Sequence, residues 1–313
     1  MHEDAWPRIA VVGAGAVGCY YGGMLARAGA PVTLVGRAVH VDAIRRDGLT
    51  LEIGSKREQV DATAATDVAA IADARIVLVC VKSGDTEATA RAMAPHLARD
   101  ALVVSLQNGV DNARRMRPLL YAQVLACVVY VGCEMAGPGH VRHMGRGDLV
   151  VGGEPGSDAA ARAAADVAAH FVRAGVPCTV SADIDADLWG KLIVNCAYNP
   201  LSALTRLPYG PMTASPWSRE IMPQVVAEAI AVAHADGVRL RTDGLLERVL
   251  ALGASMPGQI SSTAQDIGHG KATEIDALNG YVARRGEALG VPTPVNRTLH
   301  ALVKLLEIGV ARR

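Results

Sequence analysis

Lys191, Asn195 and Asn199 lie four residues apart and therefore share one face of a helix predicted over Leu188–Asn199. Most residues between them are apolar, which indicates that this helix is largely buried. Desolvation lowers the pKa of lysines in general, so a buried lysine beside two amides could act as a general acid or stabilise a carbonyl oxygen. The alternative is an ordinary amphipathic helix with its polar face in water, and the spacing alone does not choose between them.

The second candidate is a loop of the pattern G-x-G-x-x-G, made of Gly13, Ala14, Gly15, Ala16, Val17 and Gly18. It lies between a predicted strand, Arg8–Val12, and a predicted helix, Ala16–Ala28. In that context the three glycines permit a tight turn, backbone approach to a pyrophosphate and close packing of helix on strand. The free N–H groups of the helix N-terminus favour the same anion. The sequence therefore predicts a dinucleotide site.

Arg37 follows the next predicted strand, Val32–Val35, where enzymes that use NAD usually carry an acidic residue for the ribose hydroxyl. A guanidinium forms paired hydrogen bonds with a 2′-phosphate, whereas a carboxylate would repel it. Arg37 therefore favours NADP(H) over NAD(H). The alternative is an arginine that is merely solvated at the surface.

Lys82 and Asn108 follow two further apolar runs, Ile76–Val81 and Leu102–Ser105. Ligands of open parallel sheets bind beyond the carboxyl ends of the strands. Both residues are therefore candidates for contact with the nicotinamide end of the cofactor or with the substrate.

A further polar cluster in the second half of the chain contains Ser262 and Glu274. The apolar spacing after Glu274 predicts a helix over Ala272–Leu289, with this carboxylate in its first turn. Acidic residues are favoured at that position for electrostatic reasons alone. From the residues themselves, helix capping explains Glu274 better than catalysis does.

The order of the predicted elements divides the chain into two domains, residues 1–183 and 184–313. The first half alternates strands and helices, which is typical of an α/β domain with a parallel sheet. A hairpin is predicted over Leu49–Ile53 and Glu58–Val60. Antiparallel strands are predicted over Val124–Val131, Val141–His143 and Leu149–Gly152. A helix over Asp158–Ala174 and a strand over Pro177–Val180 complete the domain. The second half is predicted to be all-α, with its other helices over Ser218–Asp236, Leu245–Leu252 and Asn296–Ile308.

Composition excludes several classes of protein. Lys and Arg equal Asp and Glu at 31 each, so no basic excess supports binding to nucleic acid or to an anionic membrane. The opening residues lack the basic and apolar regions of a signal peptide, and no apolar stretch is long enough to span a membrane. The six scattered cysteines predict buried free thiols rather than a metal site or disulfides. We expect a cytoplasmic protein.

Together these segments resemble the ketopantoate reductase (2-dehydropantoate 2-reductase) family, in the family's order and over nearly the whole chain. The resemblance rests on Gly13–Gly18, Val32–Arg37, Val81–Lys82, Leu106–Gly109, Lys191–Pro200, Ser261–Ser262 and Thr273–Gly280. It implies a Rossmann-type domain followed by an all-α domain like the C-terminal domain of 6-phosphogluconate dehydrogenase. The implied reaction is the NADPH-dependent reduction of ketopantoate to pantoate.

The resemblance also implies a role for each matching residue. Lys191 looks like the catalytic lysine that polarises or protonates the C2 carbonyl oxygen, and Glu274 looks like its partner carboxylate. Substrate-binding roles are implied for Asn108, Asn195, Asn199 and Ser262, and cofactor-binding roles for the glycine loop, Arg37, Lys82 and Asn108. A reductase of another 2-keto acid and a non-catalytic NADP-binding sensor remain alternatives. A homodimer is compatible with a helical second domain, although no heptad pattern identifies a surface for it.

Overall fold

The chain divides into two compact units by the contacts among its Cα atoms. A computed structural model describes residues 5–311, so the first four and last two residues of the predicted domains lie outside the described residues. The first unit comprises the residues up to Gln107 together with Asp111–Ile184. The second comprises Asn108–Val110 together with the residues from Asp185 onward. Asn108 therefore belongs to the second unit, although it follows a strand of the first.

The first unit is built on a mixed β-sheet. Its strands are β1 Ile9–Val12, β2 Val32–Val35, β3 Leu49–Ile53, β4 Lys56–Val60, β5 Thr63–Ala65, β6 Ile76–Val79, β7 Leu102–Ser105, β8 Gln123–Gly137, β9 His140–Gly152 and β10 Cys178–Val180. They follow the order β4-β3-β9-β8-β7-β6-β1-β2-β5, with β10 beside β9. The segment β5-β2-β1-β6-β7-β8 is parallel throughout. In chain order it has the 3-2-1-4-5-6 arrangement of the Rossmann fold.

Helices cover this sheet and make up almost all of the second unit. In the first unit they are α1 Ala16–Arg27, α2 Ala38–Asp47, α3 Thr86–Met93, α4 Asn112–Met116 and α5 Asp158–Arg173. The chain continues with α6 Ile184–Thr205, α7 Tyr209–Ala214, α8 Pro216–Ala235, α9 Leu245–Ser255, α10 Ser262–Gly268, α11 Asn279–Leu289 and α12 Pro294–Ala311. Short 3₁₀ helices lie at Val68–Ile71, Ser83–Asp85, Ala94–His96, Arg117–Leu119 and Ile275–Ala277. The predicted α/β and all-α architecture is thus confirmed.

The antiparallel elements also match the sequence, with one correction. Strands β3 and β4 form the predicted hairpin, and β8 pairs antiparallel with β9. The strands predicted at Val141–His143 and Leu149–Gly152 are present, but their separation into two is wrong, because β9 runs through both without a break. Shifts of register against β8 absorb the intervening glycines, of which Gly145 and Gly147 have φ values of 156° and 140°. Such bulges allow a strand to continue through residues that do not follow its alternation.

Glu52 is the most heavily bonded carboxylate of the sheet. It lies on β3 and is 8% exposed, and its oxygens accept hydrogen bonds from Arg142 at 2.7 Å and Arg57 at 2.7 Å. His140 Nε2 lies 2.8 Å from Glu52 Oε2. The Arg142 hydrogen bond is the main reason that the pKa of Glu52 is lowered to about 2, and the other two partners add to it against the effect of burial.

Substitution Glu52→Gln is expected to lower the melting temperature at pH 7. The folded pKa is depressed, so the ionised carboxylate stabilises the fold fully above the unfolded-state pKa of about 4.3 and progressively less down to about pH 2. The difference in melting temperature between wild type and variant should therefore shrink as the pH falls from about 5 towards 2. Glu58→Gln is the control, because the Glu58–Arg27 pair is exposed and weak. A difference that is independent of pH would contradict this reading of Glu52.

Candidate active site

The glycine loop connects the end of β1 to the start of α1, as predicted. Gly13 has φ +111°, and the backbone N–H groups of Gly13 and Ala14 both donate to Val35 O, at 2.9 and 3.0 Å. Ala14 is buried at 3% exposure and packs closely against Gly36 at the end of β2. These bonds hold the loop against the neighbouring strand. Ala16 and Val17 follow as the partly exposed first residues of α1.

The three glycines of the loop are required for different reasons. A Cβ at Gly13 would lie 2.7 Å from the Cys80 carbonyl carbon, and one at Gly18 would lie 2.1 Å from Gly13 O. The chain itself therefore excludes a side chain at both positions. A Cβ at Gly15, which caps the N-terminus of α1, would meet nothing within 4 Å. The open backbone at Gly15 is a cradle of the kind that lets a pyrophosphate approach the N–H groups of a helix N-terminus.

Arg37 lies at the N-cap of α2, two residues after β2 ends. Its side chain is exposed and makes no ion pair or hydrogen bond with any residue between 5 and 311. The guanidinium is thus available at the carboxyl end of β2, where a dinucleotide places the ribose of its adenosine half.

A buried polar network joins the loops that follow β6 and β7. Gln107 Nε2 donates to Val81 O at 3.2 Å and to Thr86 Oγ1 at 2.8 Å, and Thr86 Oγ1 donates to Asn112 Oδ1 at 2.8 Å. Lys82 begins the 3₁₀ helix Ser83–Asp85 within this arrangement and is partly buried. The network fixes the backbone of the Lys82 loop at the carboxyl edge of the sheet.

In the second unit, one line of hydrogen bonds joins Lys191, Asn108 and Glu274. Lys191 Nζ donates to Asn108 Oδ1 at 2.9 Å, and Asn108 Nδ2 donates to Glu274 Oε2 at 2.9 Å. All three side chains are partly buried. The Asn108 amide thus holds the ammonium with its oxygen and the carboxylate with its nitrogen, so a cationic donor has a fixed position.

The other polar residues of α6 lie on the same face as Lys191. Asn199 is 3% exposed, and its Nδ2 lies 3.5 Å from Ser262 Oγ, at the limit of a hydrogen bond. Asn195 is partly buried, and its side chain makes no hydrogen bond with the rest of the described chain. Ser262 is exposed at the start of α10, while Ser261 supplies the cap by accepting from Ala264 N at 3.1 Å. The burial of Asn199 excludes the alternative in which the whole stripe lies in water.

The helix predicted over Ala272–Leu289 is wrong in its first two turns. Glu274 precedes the 3₁₀ helix Ile275–Ala277. The backbone of Leu278, with φ −107° and ψ −109°, is not helical, and α11 begins only after it. The Glu274 side chain makes no capping hydrogen bond there. The capping explanation is therefore wrong, and the carboxylate instead accepts from Asn108.

The segment that carries Glu274 is bound to α12. Thr273 N and Thr273 Oγ1 donate to Glu307 Oε1 at 2.8 and 2.5 Å. Burial would raise the pKa of Glu307, but hydrogen bonds from Lys304 and Thr273 hold it below its ordinary value. Lys304 also donates to Asp276 at 2.9 Å. Glu307 and Lys304 of α12 thus bind Thr273 and Asp276, which lie on either side of Glu274.

Sequence reasoning found these side chains but not their arrangement. Asn108 was a candidate by its place after a strand, whereas its position between Lys191 and Glu274 was not predicted. The buried role of Gln107 was missed, although its place beside Asn108 after an apolar strand was a signal for it. Between residues 5 and 311 no cluster of His, Cys, Asp or Glu has an arrangement that could hold a metal ion. None of the helices in that range is long and apolar enough to cross a membrane.

Comparisons with known proteins agree with this fold. A model of the family described as ketopantoate reductase PanE/ApbA matches residues 9–156, and the model of its C-terminal domain matches residues 183–307. A 2-dehydropantoate 2-reductase of Halobacterium salinarum is 35% identical over an alignment of 307 residues that covers 96% of this chain and 99% of that protein. One from Vibrio cholerae is 32% identical over 300 residues, with 96% and 97% covered.

A solved structure extends the comparison to three dimensions. The crystal structure of a PanE/ApbA family ketopantoate reductase from Ralstonia eutropha JMP134 has a TM-score of 0.90 and 53% sequence identity, covering 97% of this chain and 99% of that one. Fold and relatives together define an oxidoreductase with a Rossmann-type domain. The chain belongs to the ketopantoate reductase family.

Proposed function

We propose that this protein reduces ketopantoate to pantoate with NADPH, as a step of pantothenate and coenzyme A synthesis. The observation that carries the proposal is the line of hydrogen bonds through Lys191, Asn108 and Glu274. Relatives that match over nearly the whole chain are named 2-dehydropantoate 2-reductase, which supports this choice of substrate.

Reduction of a keto acid by hydride transfer is favoured by a positively charged group that is fixed in place. NADPH, when bound, supplies a hydride to C2 of the keto acid, and the carbonyl oxygen gains negative charge as the hydride adds. A fixed ammonium at Lys191 stabilises that charge more than the ground state and can donate the proton that completes the hydroxyl. Asn108 and Glu274 hold the ammonium in its place, so no reorganisation is needed at the moment of reaction.

The remaining polar residues are proposed to bind the two ligands. Asn195, Asn199 and Ser262, with Asn108, are suited to hydrogen-bond the acid, since all are amides or hydroxyls in the unit that carries Lys191. The glycine loop fits the pyrophosphate, because Gly15 leaves its backbone open. Lys82 and Arg37 follow strands of the same sheet and are assigned to the cofactor.

Each of the two predicted domains is proposed to bind one of the two ligands. Residues 1–183 would carry the nucleotide and residues 184–313 the keto acid, which the grouping of the glycine loop and of Lys191 in different units supports. A cytoplasmic location is part of the proposal, and six cysteines outside any disulfide support it because disulfides are rare in reducing compartments.

A panel of 2-keto acids tests the substrate. Initial rates of NADPH oxidation should give ketopantoate the highest kcat/KM, followed by keto acids with smaller or unbranched side chains. If another keto acid ranks far above ketopantoate, the chain is a reductase of that acid on the same scaffold. Binding of NADPH without turnover of any acid would favour the non-catalytic alternative.

Substitution Arg37→Ala tests the choice of cofactor. It should raise the Kd for NADPH about tenfold or more, because a charge-assisted pair with the 2′-phosphate is lost, and change the Kd for NADH by less than about twofold. Arg46→Ala is a matched control on the same helix, since Arg46 pairs with Asp47. Equal losses for NADPH and NADH would remove the proposed role of Arg37.

A further inference from the structure

Helix α6 continues through a proline in the segment that carries the polar stripe. In an α-helix the N–H of each residue donates to the carbonyl oxygen four residues earlier, and Pro200 has no N–H to give to Cys196 O. Cys196 is completely buried, so bulk solvent does not reach that oxygen. A buried carbonyl without a donor is costly, and a helix that loses such a bond tends to bend or open.

The side chain of Asn279 supplies a donor at this point. Asn279, the first residue of α11, is completely buried, and its Nδ2 donates to Cys196 O at 3.0 Å. The second hydrogen of the same amide faces Asn296 Oδ1, also at 3.0 Å. Both partners are acceptors, so the network itself determines which end of the Asn279 amide is the nitrogen.

Residues of two further helices orient the Asn279 amide. Asn296, on α12, donates through its own Nδ2 to Glu228 Oε2 at 2.8 Å and to Val225 O at 3.1 Å. Glu228, on α8, also accepts from the backbone of Asn296 at 2.9 Å and of Val295 at 2.8 Å. The side-chain oxygen of Asn279, Oδ1, has no hydrogen-bond partner within residues 5–311. The Asn279 amide is therefore oriented so that its N–H groups are both used, while its oxygen is left buried without a hydrogen bond.

We propose that Asn279 is a positioning residue that replaces the missing N–H of Pro200 and thereby fixes the turn of α6 that carries Asn195 and Asn199. Cys196 lies directly after Asn195, and Pro200 directly follows Asn199. A change in this turn would move both amides while leaving the glycine loop, in the other unit, untouched. The consequence for substrate rests on the proposed function of these two asparagines.

A double-mutant cycle tests the proposal on the full-length protein. Asn279→Ala should raise KM for ketopantoate about tenfold, because a displaced Asn195 or Asn199 would lose about one hydrogen bond to the acid. The melting temperature should fall, and the Kd for NADPH should not change. Pro200→Ala restores a backbone N–H opposite Cys196 O. The variant Pro200→Ala/Asn279→Ala should therefore recover most of both losses. Pro223→Ala/Asn279→Ala is the matched control, because Pro223 interrupts α8 instead and its replacement should rescue neither.

Each other outcome has a defined meaning. Wild-type KM and melting temperature for Asn279→Ala, or equal rescue by Pro200→Ala and Pro223→Ala, overturn the proposal. A lower melting temperature with unchanged KM means that Asn279 is structural only, which also overturns it. If Asn279→Ala does not fold, the Pro200→Ala/Asn279→Ala protein must fold and turn over, or the proposal fails. If the wild type binds NADPH but reduces no ketopantoate, the proposed function fails, while rescue of the melting temperature still tests the replaced hydrogen bond.

Discussion

Replacement of Lys191 with alanine is expected to lower kcat for ketopantoate by about 10²–10³-fold. The ammonium that donates to Asn108 would be lost, and with it the group that we propose to stabilise the negative charge on the carbonyl oxygen. Because the glycine loop lies in the other unit, the Kd for NADPH should stay within about twofold of the wild-type value. Stopped-flow rates of hydride transfer, together with a fluorescence titration of NADPH, measure the two quantities separately.

The control for this variant is Lys56→Ala, which removes an exposed lysine from β4 and should leave both quantities unchanged. A Lys191→Ala protein that binds NADPH normally and keeps its full rate would remove Lys191 from the chemistry. A loss confined to KM would reduce its role to binding of the acid, because an interaction made only in the transition state lowers kcat.

Alanine at Gly18 should mainly lower the stability of the fold, whereas alanine at Gly15 should mainly weaken the binding of NADPH. Gly18→Ala places a Cβ 2.1 Å from Gly13 O, so it should destabilise the fold by about 1–3 kcal/mol through overpacking. Gly15→Ala meets no protein atom within 4 Å, so the melting temperature should not change. Its Kd for NADPH should nevertheless rise about tenfold or more, because the methyl group occupies the space through which the pyrophosphate approaches.

Thermal unfolding and NADPH titration of both variants check this contrast. The Gly15 variant serves as the control for the Gly18 variant, since the two changes are identical and only their surroundings differ. Normal NADPH binding by Gly15→Ala would show that the open backbone is not the nucleotide cradle. Equal losses of melting temperature would show that the loop has no room at Gly15 either.

The fold of the first unit could be predicted from local sequence because its signals are local. Parallel strands buried on both faces form continuous apolar runs, as in β1 and β6, and the glycine loop lies directly between the strand and helix that it connects. What the sequence could not indicate was where β9 continues, since its glycine-rich middle is held in the sheet only by pairing with β8.

The candidate site in the second unit was less predictable because its bonds are distant in sequence. Asn108 and Lys191 are 83 residues apart, and Asn108 and Glu274 are 166 residues apart. No periodicity reports such contacts, so the spacing along α6 could identify the stripe but not its partners. For Glu274 the local rule even favoured capping, and the tertiary hydrogen bond to Asn108 prevailed.

The end of α6 illustrates the same limit. A proline usually marks the end of a helix, so Asn199 was the natural last residue. The helix instead continues to Thr205, and the donor to Cys196 O comes from Asn279, 83 residues away. Tertiary hydrogen bonding thus overrides a local rule at the residues proposed to bind substrate.

A crystal structure with NADP⁺ and pantoate bound is the most direct test of the central claim, that Lys191 acts on the C2 oxygen of the acid. The hydroxyl oxygen at C2 of pantoate should lie about 2.6–3.2 Å from Lys191 Nζ, within hydrogen-bond reach of a general acid. The pyrophosphate should lie against the backbone of Gly15. Pantoate bound with that oxygen away from Lys191, or outside the unit that carries it, would contradict the proposed mechanism.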